Sequence, residues 1–169
     1  MEKNKFKSHG KSLIVLYSYH HNNTEKIAKV MAKVLDAEIK WPQEINPEEL
    51  QEYDLVGFGS GIYSGKHDES LLELADKLPH VKEKKVFIFS TSGAPIAIGG
   101  QKTLDDYAVN AHSLLREKLK DKGYLIVDVF ICAGFNTNSF LKLFGGINKG
   151  RPNADDIQNA SEFALGLKY

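Results

Sequence analysis

The chain has little of several features that mark particular classes of protein. Its 169 residues include a single cysteine, Cys132, which excludes an intramolecular disulfide framework, a cysteine-rich zinc site and an iron–sulfur cluster held by this chain alone. Only 5 prolines and 14 glycines are present, too few for a collagen-like or low-complexity chain. The 22 Lys and Arg residues balance the 22 Asp and Glu residues, so the basic excess typical of nucleic-acid-binding proteins is missing. We therefore expect no nucleic-acid partner.

The sequence also has no long apolar run. The first twelve residues are polar and lysine-rich, and the apolar run that follows, residues 13–17, is too short for a signal-peptide core or a membrane span. Because 42% of the residues are apolar, the chain can still bury one ordinary core. We therefore expect a polar tail at residues 1–10 and one domain at residues 11–169, in the cytoplasm and with no membrane partner.

Short apolar runs alternate with segments of helical period along the chain. The runs are rich in β-branched residues, as in strands covered on both faces. We predict strands at residues 13–17, 55–59, 86–89 and 125–133, with a weaker edge strand at 37–40. Helices are predicted at residues 24–36, 68–78 and 103–122, and a last helix begins at Pro152. Because strands that alternate with helices form right-handed βαβ units, the expected fold is α/β, a doubly wound five-stranded parallel sheet with helices on both faces.

In such sheets ligands bind beyond the carboxyl ends of the strands, so the loops after the strands are the places to search. The first loop leads straight into a helix, and its amides and the helix dipole predict a phosphate site. It lacks the glycines of a dinucleotide fingerprint and the Gly-Lys-Ser/Thr of a nucleotide-triphosphate loop. A plain helix cap by Thr24 is the alternative, while Asn22 and Asn23 can adopt left-handed backbone angles. The candidate residues are Ser18, Tyr19, His20, His21, Asn22, Asn23 and Thr24.

Two further loops carry candidate ligand contacts. The second has two glycines around Tyr63, which favours backbone close to a flat ligand, although a tight turn with an exposed tyrosine is the alternative. The third is rich in small hydrogen-bond donors. Together the three loops indicate a phosphorylated, planar ligand. The candidate residues are Ser60, Gly61, Ile62, Tyr63, Ser64, Gly65 and Lys66 in the second loop, and Thr91, Ser92, Gly93 and Ala94 in the third.

The first loop resembles the FMN phosphate loop of the flavodoxin family over residues 14–28, IVLYSYHHNNTEKIA. Thr24 and Ala28 match the family pattern, whereas Tyr19 stands where Ser or Thr is usual and Asn22 where a small residue, often Gly, is usual. The resemblance extends over about residues 11–167. It implies a flavodoxin-like fold with strand order 2-1-3-4-5, non-covalent FMN, and a peptide at Gly61 or Gly65 beside the flavin ring.

The resemblance implies a low-potential electron-transfer carrier that serves redox partner proteins. An FMN-dependent oxidoreductase of the quinone reductase type, acting on a small quinone-like acceptor, is the alternative, and the oligomeric state stays open. The alternative depends on a fourth loop of roughly 18 residues, longer than most connections. We interpret residues 135–152 as a lid or docking patch, with Phe135 or Phe140 limiting access to the ring. Equally, its apolar residues could pack onto the core or a second copy.

The histidines and the cysteine give weaker signals. Adjacent His20 and His21 point in different directions, which makes joint metal ligation awkward, so we expect one to face the phosphate and the other to face solvent. His67 should lie on the same edge of the sheet. We expect His112 to be a surface residue and Cys132 to be a small core residue.

Overall fold

The computed structural model describes residues 10–97 and 99–168, in which the apolar runs of the sequence form the strands of one sheet. The strands are β1 (Ser12–Tyr17), β2 (Ala37–Lys40), β3 (Leu55–Tyr63), β4 (Lys66–His67), β5 (Lys84–Ser92) and β6 (Tyr124–Ala133). The α-helices are α1 (Asn23–Leu35), α2 (Glu69–Lys77), α3 (Gly100–Ala111), α4 (Ser113–Asp121) and α5 (Ala154–Gly166). Short 3₁₀ helices span Pro42–Glu44, Pro47–Glu52 and Ser139–Phe144.

The main strands form a parallel sheet in the order β2-β1-β3-β5-β6. The short strand β4 lies off this path and pairs antiparallel with the end of β3, where Ile62 faces His67 and Tyr63 faces Lys66. When β4 is left out of the numbering, the order is 2-1-3-4-5. The predicted doubly wound, five-stranded parallel sheet is therefore confirmed.

Alternate residues of each central strand fill two separate cores, one on each face of the sheet. On one face, Ile14 and Leu16 of β1 pack with α1 and α5. On the other, Leu13 and Val15 pack with α2 and α4. All four side chains are almost fully buried. This double coverage explains why the strand sequences are continuously apolar rather than alternating.

Two glycines of β3 make room for aromatic rings of the next strand. Gly57 and Gly59 pair with Phe87 and Phe89 of β5. A Cβ atom at Gly57 or Gly59 would lie only 2.3 or 2.0 Å, respectively, from the facing phenyl ring. The two rings stack with centroids 5.9 Å apart across this glycine backbone. Packing therefore requires these two glycines.

The strands beside the ligand edge are longer than the sequence predicted. β3 continues to Tyr63 and β5 to Ser92, so much of the predicted second and third loops is strand. The sheet pairing continues through Ser60 with Ser90 and Gly61 with Thr91. The runs of apolar residues end before these small or polar residues, whereas the backbone hydrogen bonds between β3 and β5 continue through them.

The helix predicted at residues 103–122 is two helices. α3 begins earlier, at Gly100, and α4 begins after a break at His112, where φ is −90° and ψ is −8°. The Ser113 hydroxyl donates to the Asn110 carbonyl at 2.7 Å at this break. Because His112 keeps near-helical angles, the apolar periodicity gives no sign of the break. No helix in the described part of the chain is long and apolar enough to cross a membrane.

Candidate functional site

The first loop carries the chain from β1 into α1 through a left-handed turn. His21 and Asn22 both have a φ of 52°. The sequence predicted this conformation as accessible to Asn22 and Asn23, but Asn23 is already the first residue of α1. The turn therefore uses a histidine and an asparagine, and the helix begins one residue before the predicted start.

The N-terminus of α1 offers an unpaired donor to a ligand. The Ser18 hydroxyl accepts a hydrogen bond from the Glu25 amide at 3.2 Å, so that amide is satisfied. Within residues 10–97 and 99–168, the Thr24 amide has no acceptor. The Thr24 hydroxyl hydrogen-bonds the Thr91 hydroxyl of β5 at 2.8 Å, and both residues are buried. An unpaired amide at the positive end of a helix suits an anion.

Asn23 links the first loop to the fourth and has unused bonding capacity. Its Nδ2 donates to the Phe135 carbonyl at 2.9 Å. Its Oδ1 is buried without a partner. Since a buried unpaired acceptor costs about 1–3 kcal/mol, a ligand hydroxyl that donates to this oxygen would remove an energetic penalty.

The second segment is a hairpin of β3 and β4 rather than an open loop. Its turn has left-handed backbone at Ser64 and Gly65, with φ values of 50° and 80°. The Tyr63 hydroxyl accepts a hydrogen bond from the Tyr19 amide at 3.4 Å, and its ring packs edge-on against Tyr17. Burial raises the pKa of the Tyr63 phenol above its ordinary value, so this side chain stays neutral at physiological pH.

The fourth loop, between β6 and α5, is fixed at its base. Asn136 and Ile147 form an antiparallel bridge with backbone hydrogen bonds of 3.0 and 2.9 Å. The Asn136 side chain donates to the Gly93 carbonyl at 3.2 Å, and the Asn148 side chain donates to the Ala94 carbonyl at 2.8 Å. These bonds join the fourth loop to the third segment, the residues at and after the end of β5 that the sequence predicted as the third loop.

The two histidines of the first loop contact the fourth loop. His20 Nε2 hydrogen-bonds Asn138 Oδ1, and His21 Nε2 hydrogen-bonds Thr137 Oγ1 at 2.8 Å. The His21 ring also lies 4.6 Å from the Phe135 ring, measured between centroids. Both histidines thus tie the two loops together, a role that the sequence did not predict.

The four segments surround an open cavity of about 430 Å³, within the size range of small-molecule and cofactor sites. Most of the predicted contact residues line it: His20, Asn23, Thr24, Gly61, Ile62, Tyr63, Ser64, Thr91, Ser92, Gly93 and Ala94. The other predicted residues lie outside the cavity lining: Ser18, Tyr19, His21, Asn22, Ser60, Gly65 and Lys66. Lys66 instead pairs with Glu69 at 2.6 Å.

Four residues of the cavity wall lie outside the contact residues that the sequence predicted. Tyr107 of α3 and the fourth-loop residues Asn136 and Asn138 also line the cavity, as does Phe135 from the predicted lid. The fourth loop contains Asn136, Asn138 and Asn148. Because an amide side chain can both donate and accept hydrogen bonds, these asparagines are the sequence feature from which the contacts between loops could have been predicted. Helix periodicity gives no sign that Tyr107 reaches the cavity.

A pair of buried histidines lies next to the cavity wall. Ser60 hydrogen-bonds His67 Nδ1 at 2.8 Å, and Ser90 hydrogen-bonds His112 Nε2 at 2.7 Å. The two imidazole rings lie 4.9 Å apart, and His67 Nε2 is buried without a partner. The prediction that His112 is a surface residue is wrong, since its side chain turns inward at the helix break and is 1% exposed.

Burial governs the protonation of this pair. It lowers the pKa of His67 well below the ordinary value, with a smaller contribution from His112. It also lowers the pKa of His112 to about 4, and the nearby Arg116 adds to the shift. Both rings are therefore neutral near pH 7.

Cys132 is buried, as predicted for a small core residue, and burial raises the pKa of its thiol. Across residues 10–97 and 99–168, no three His, Cys, Asp or Glu side chains are grouped so that they could hold a metal ion.

The apolar residues of the fourth loop lie on the surface. Phe140, Leu143 and Phe144 are 65%, 84% and 80% exposed. The interpretation that they fold back onto the core of this chain is therefore wrong. They belong to the 3₁₀ helix Ser139–Phe144, which we term the loop tip, and none of them lines the cavity.

Comparison with known proteins places this architecture in a family. Residues 14–132 match the model of the flavodoxin domain. An uncharacterised protein of Methanocaldococcus jannaschii is 47% identical over 157 residues, which cover 93% of this chain and 97% of that protein. The chain therefore belongs to the flavodoxin family, whose members bind flavin, typically FMN.

Solved structures agree on the fold. Oxidised flavodoxin 2 from Bacillus cereus superimposes with a TM-score of 0.64 at 22% identity, covering 94% of this chain and 99% of that one. A flavodoxin from the domain Archaea superimposes with a TM-score of 0.57 at 16% identity, covering 94% and 96%. At these identities the likeness concerns the fold alone.

Proposed function

We propose that this protein binds FMN without a covalent bond and acts in the cytoplasm as a low-potential electron-transfer carrier. The observation that carries the proposal is the cavity of about 430 Å³ at the carboxyl edge of the sheet, with an unpaired helix amide at one end. Sequence, fold family and cavity position all point to the same ligand.

The first loop suits the phosphate of FMN. The Thr24 amide is free, and the Thr24 and Thr91 hydroxyls lie together on the cavity wall. Because residues 18–24 contain no Lys or Arg, backbone amides, hydroxyls and the helix dipole would carry most of the phosphate binding. His20 lines the cavity and His21 does not, so His20 is the better placed of the two predicted imidazole donors.

The rest of the cavity suits a polyol chain and a flat ring. The unpartnered Asn23 Oδ1 is an acceptor for a hydroxyl group of the ribityl chain. The hairpin residues Gly61, Ile62 and Tyr63 supply backbone and an aromatic face for the ring, and Gly93 and Ala94 supply backbone on the other side. A Cβ at Gly93 would lie 2.5 Å from Asn136 Nδ2, so only glycine keeps this wall intact.

FMN, when bound, supplies the redox chemistry, and the chain sets the surroundings. No Lys or Arg lines the cavity, so no cation would lie in direct contact with a reduced ring, and this favours a low potential. Tyr63 and Phe135 limit the access of water. The exposed loop tip lies outside the cavity wall, which favours a carrier that meets its partner at the surface over an enzyme with a closed lid at residues 135–152.

The FMN assignment is tested by titrating flavin-free protein with FMN and with riboflavin, which lacks the phosphate. We expect FMN to bind more tightly, and Thr24→Val to weaken FMN binding by about 1–3 kcal/mol while changing riboflavin binding much less. Ser113→Ala, which also removes one hydroxyl group, is the control, because Ser113 is exposed and lies outside the cavity lining. Equal affinities for the two ligands would contradict the phosphate site.

The choice between carrier and quinone reductase is tested with Phe140→Ser/Phe144→Ser. A carrier should reduce small quinones slowly, and the variant should leave that slow rate and FMN affinity unchanged. Fast quinone turnover by the wild-type protein that falls in the variant would instead assign residues 135–152 to the lid of a reductase.

A further inference from the structure

The edge of the sheet that holds the cavity has a one-sided charge. None of the chain's 22 acidic residues lies in the four segments at this edge, residues 17–24, 60–67, 90–99 and 133–153. The same segments contain Lys66, Lys142, Lys149 and Arg151. The charged residues of these four segments are therefore all basic, although the chain is neutral as a whole.

Two of these four cations are unpaired. Lys66 pairs with Glu69, and Arg151 pairs at 2.6 Å with the buried Asp156. Lys142 and Lys149 are exposed and have no ion pair in the part of the chain that the structure describes. They lie on the fourth loop, outside the cavity lining, and so are not placed to hold the phosphate.

The unpaired lysines accompany the apolar loop tip. Phe140, Leu143 and Phe144 are mostly exposed, and Lys142 lies among them in the same 3₁₀ helix. The tip is continuous with the cavity, because its N-terminal neighbour Asn138 hydrogen-bonds His20 and both residues line the cavity. Apolar side chains bordered by polar ones are the usual anatomy of a protein interface.

We propose that the loop tip, with Lys142 and Lys149, is the docking surface for an acidic redox protein, an inference that rests on the proposed electron-carrier function. Charge complementarity selects the partner: loop segments that carry two free lysines and no carboxylates of their own attract a negatively charged surface and repel a positive one. A surface of three exposed apolar side chains and two lysines suits a transient encounter of the kind that electron-transfer proteins make.

The charges on this surface disfavour two other binding partners, a second copy of this chain and an anionic membrane. A two-fold dimer through this surface would bring together two patches that both carry free lysines, so that their charges repel. An anionic membrane is usually recognised by clusters of about 4–8 basic residues, more than the two free lysines here.

The test measures binding rather than turnover, with flavin-free and FMN-loaded protein. The probes are a plant-type [2Fe–2S] ferredoxin chosen for its net negative charge and a cytochrome c chosen for its net positive charge, titrated by calorimetry at low salt and at about 0.15 M ionic strength. We expect the ferredoxin to bind, its affinity to fall with salt, and the cytochrome not to bind.

Two variants and one control locate the surface. We expect Lys142→Glu/Lys149→Glu to lower ferredoxin affinity about tenfold or more, and Phe140→Ser/Phe144→Ser to lower it without changing its salt dependence. Lys82→Glu/Lys120→Glu makes the same charge change at exposed lysines away from this edge and should leave affinity within about twofold. Thermal melts verify that each variant is folded.

Several outcomes would overturn the docking proposal. These are no binding of the ferredoxin, equal binding of both probes, equal loss in the control, self-association that the tip variant abolishes, and binding to phosphatidylglycerol vesicles in preference to the ferredoxin. Since flavin-free protein is titrated as well, failure to dock and failure to bind FMN are separate results.

Discussion

The protein contains two histidine pairs that lie close to one cavity in opposite environments. His20 and His21 lie on the first loop and reach across to Asn138 and Thr137 at the surface. His67 and His112 lie inside the protein and bond to serines of adjacent strands. The sequence predicted neither role, because it suggested a phosphate contact for one histidine of the first pair and solvent for the other, and a surface position for His112.

The comparison shows that what surrounds an imidazole, rather than its place in the sequence, sets its contribution. A buried neutral imidazole contributes stability that depends on pH, since protonation would place a charge in an apolar interior. A surface imidazole contributes a hydrogen bond that water can largely replace. The buried pair therefore matters for global folding, and the surface pair matters for how one loop holds another.

The largest expected effect is acid destabilisation by the buried pair. The pKa of His112 is about 4 in the folded protein against 6.5 for a free histidine, so between these values the unfolded chain binds a proton that the folded chain does not. The stability that His112 contributes is complete above about pH 6.5 and is lost as pH falls to 4, by roughly 3 kcal/mol.

Urea unfolding between pH 7 and pH 4.5 measures this loss for the wild-type protein and for His112→Gln, which stays neutral. The variant should show a shallower fall, while His80→Gln, at an exposed position, should follow the wild type. Parallel curves for wild type and His112→Gln would show that His112 is not the group that takes up the proton.

An intermediate effect is expected from removing the partners of each pair. Ser90→Ala leaves a buried nitrogen of His112 without its bond of 2.7 Å and should lower the free energy of unfolding by about 1–3 kcal/mol. Thr137→Ala leaves His21 at the surface, where water replaces the lost partner, and should lower it by less than about 1 kcal/mol. Similar losses of unfolding free energy in the two variants would contradict the expectation that the buried pair contributes more to stability than the surface pair.

The smallest effect on stability is expected for His20→Ala and His21→Ala, at most about 1 kcal/mol each. Their readout is local: hydrogen exchange at the Asn136 and Ile147 amides should speed up several-fold, because the first loop no longer holds the fourth. Amides in the centre of β5 serve as the internal reference. Unchanged exchange at the bridge would show that the asparagine contacts alone hold this loop.

Much of the fold could be read from the sequence because each strand is buried on both faces. Continuous apolar runs such as residues 13–17 and 86–89 have few interpretations other than central parallel strands. The ends of β3 and β5 could not be predicted, since Ser60 and Ser90 stay in the sheet through backbone bonds that side-chain patterns do not report.

The residues of the candidate site also form two groups, those that could be predicted from the sequence and those that could not. Thr24 lies where the first loop enters α1, and Gly93 directly follows β5, so the topology alone brings both to the cavity. Tyr107 and Asn138 reach it through tertiary packing of a helix and a long loop, and these contacts leave no local signature. The inward turn of His112 is of the same kind, since it depends on a break that helix periodicity does not reveal.

The bridge between Asn136 and Ile147 separates the fourth loop into two parts with different freedom to change. Below the bridge, asparagine contacts to the third segment fix the cavity wall. Above it, the tip is joined to the rest mainly through its own ends, and its exposed side chains support no core. Substitutions of Phe140, Leu143 and Phe144 therefore remove little packing. Under the proposed docking role, changes in the loop tip would alter which protein this surface recognises without altering a residue that lines the cavity.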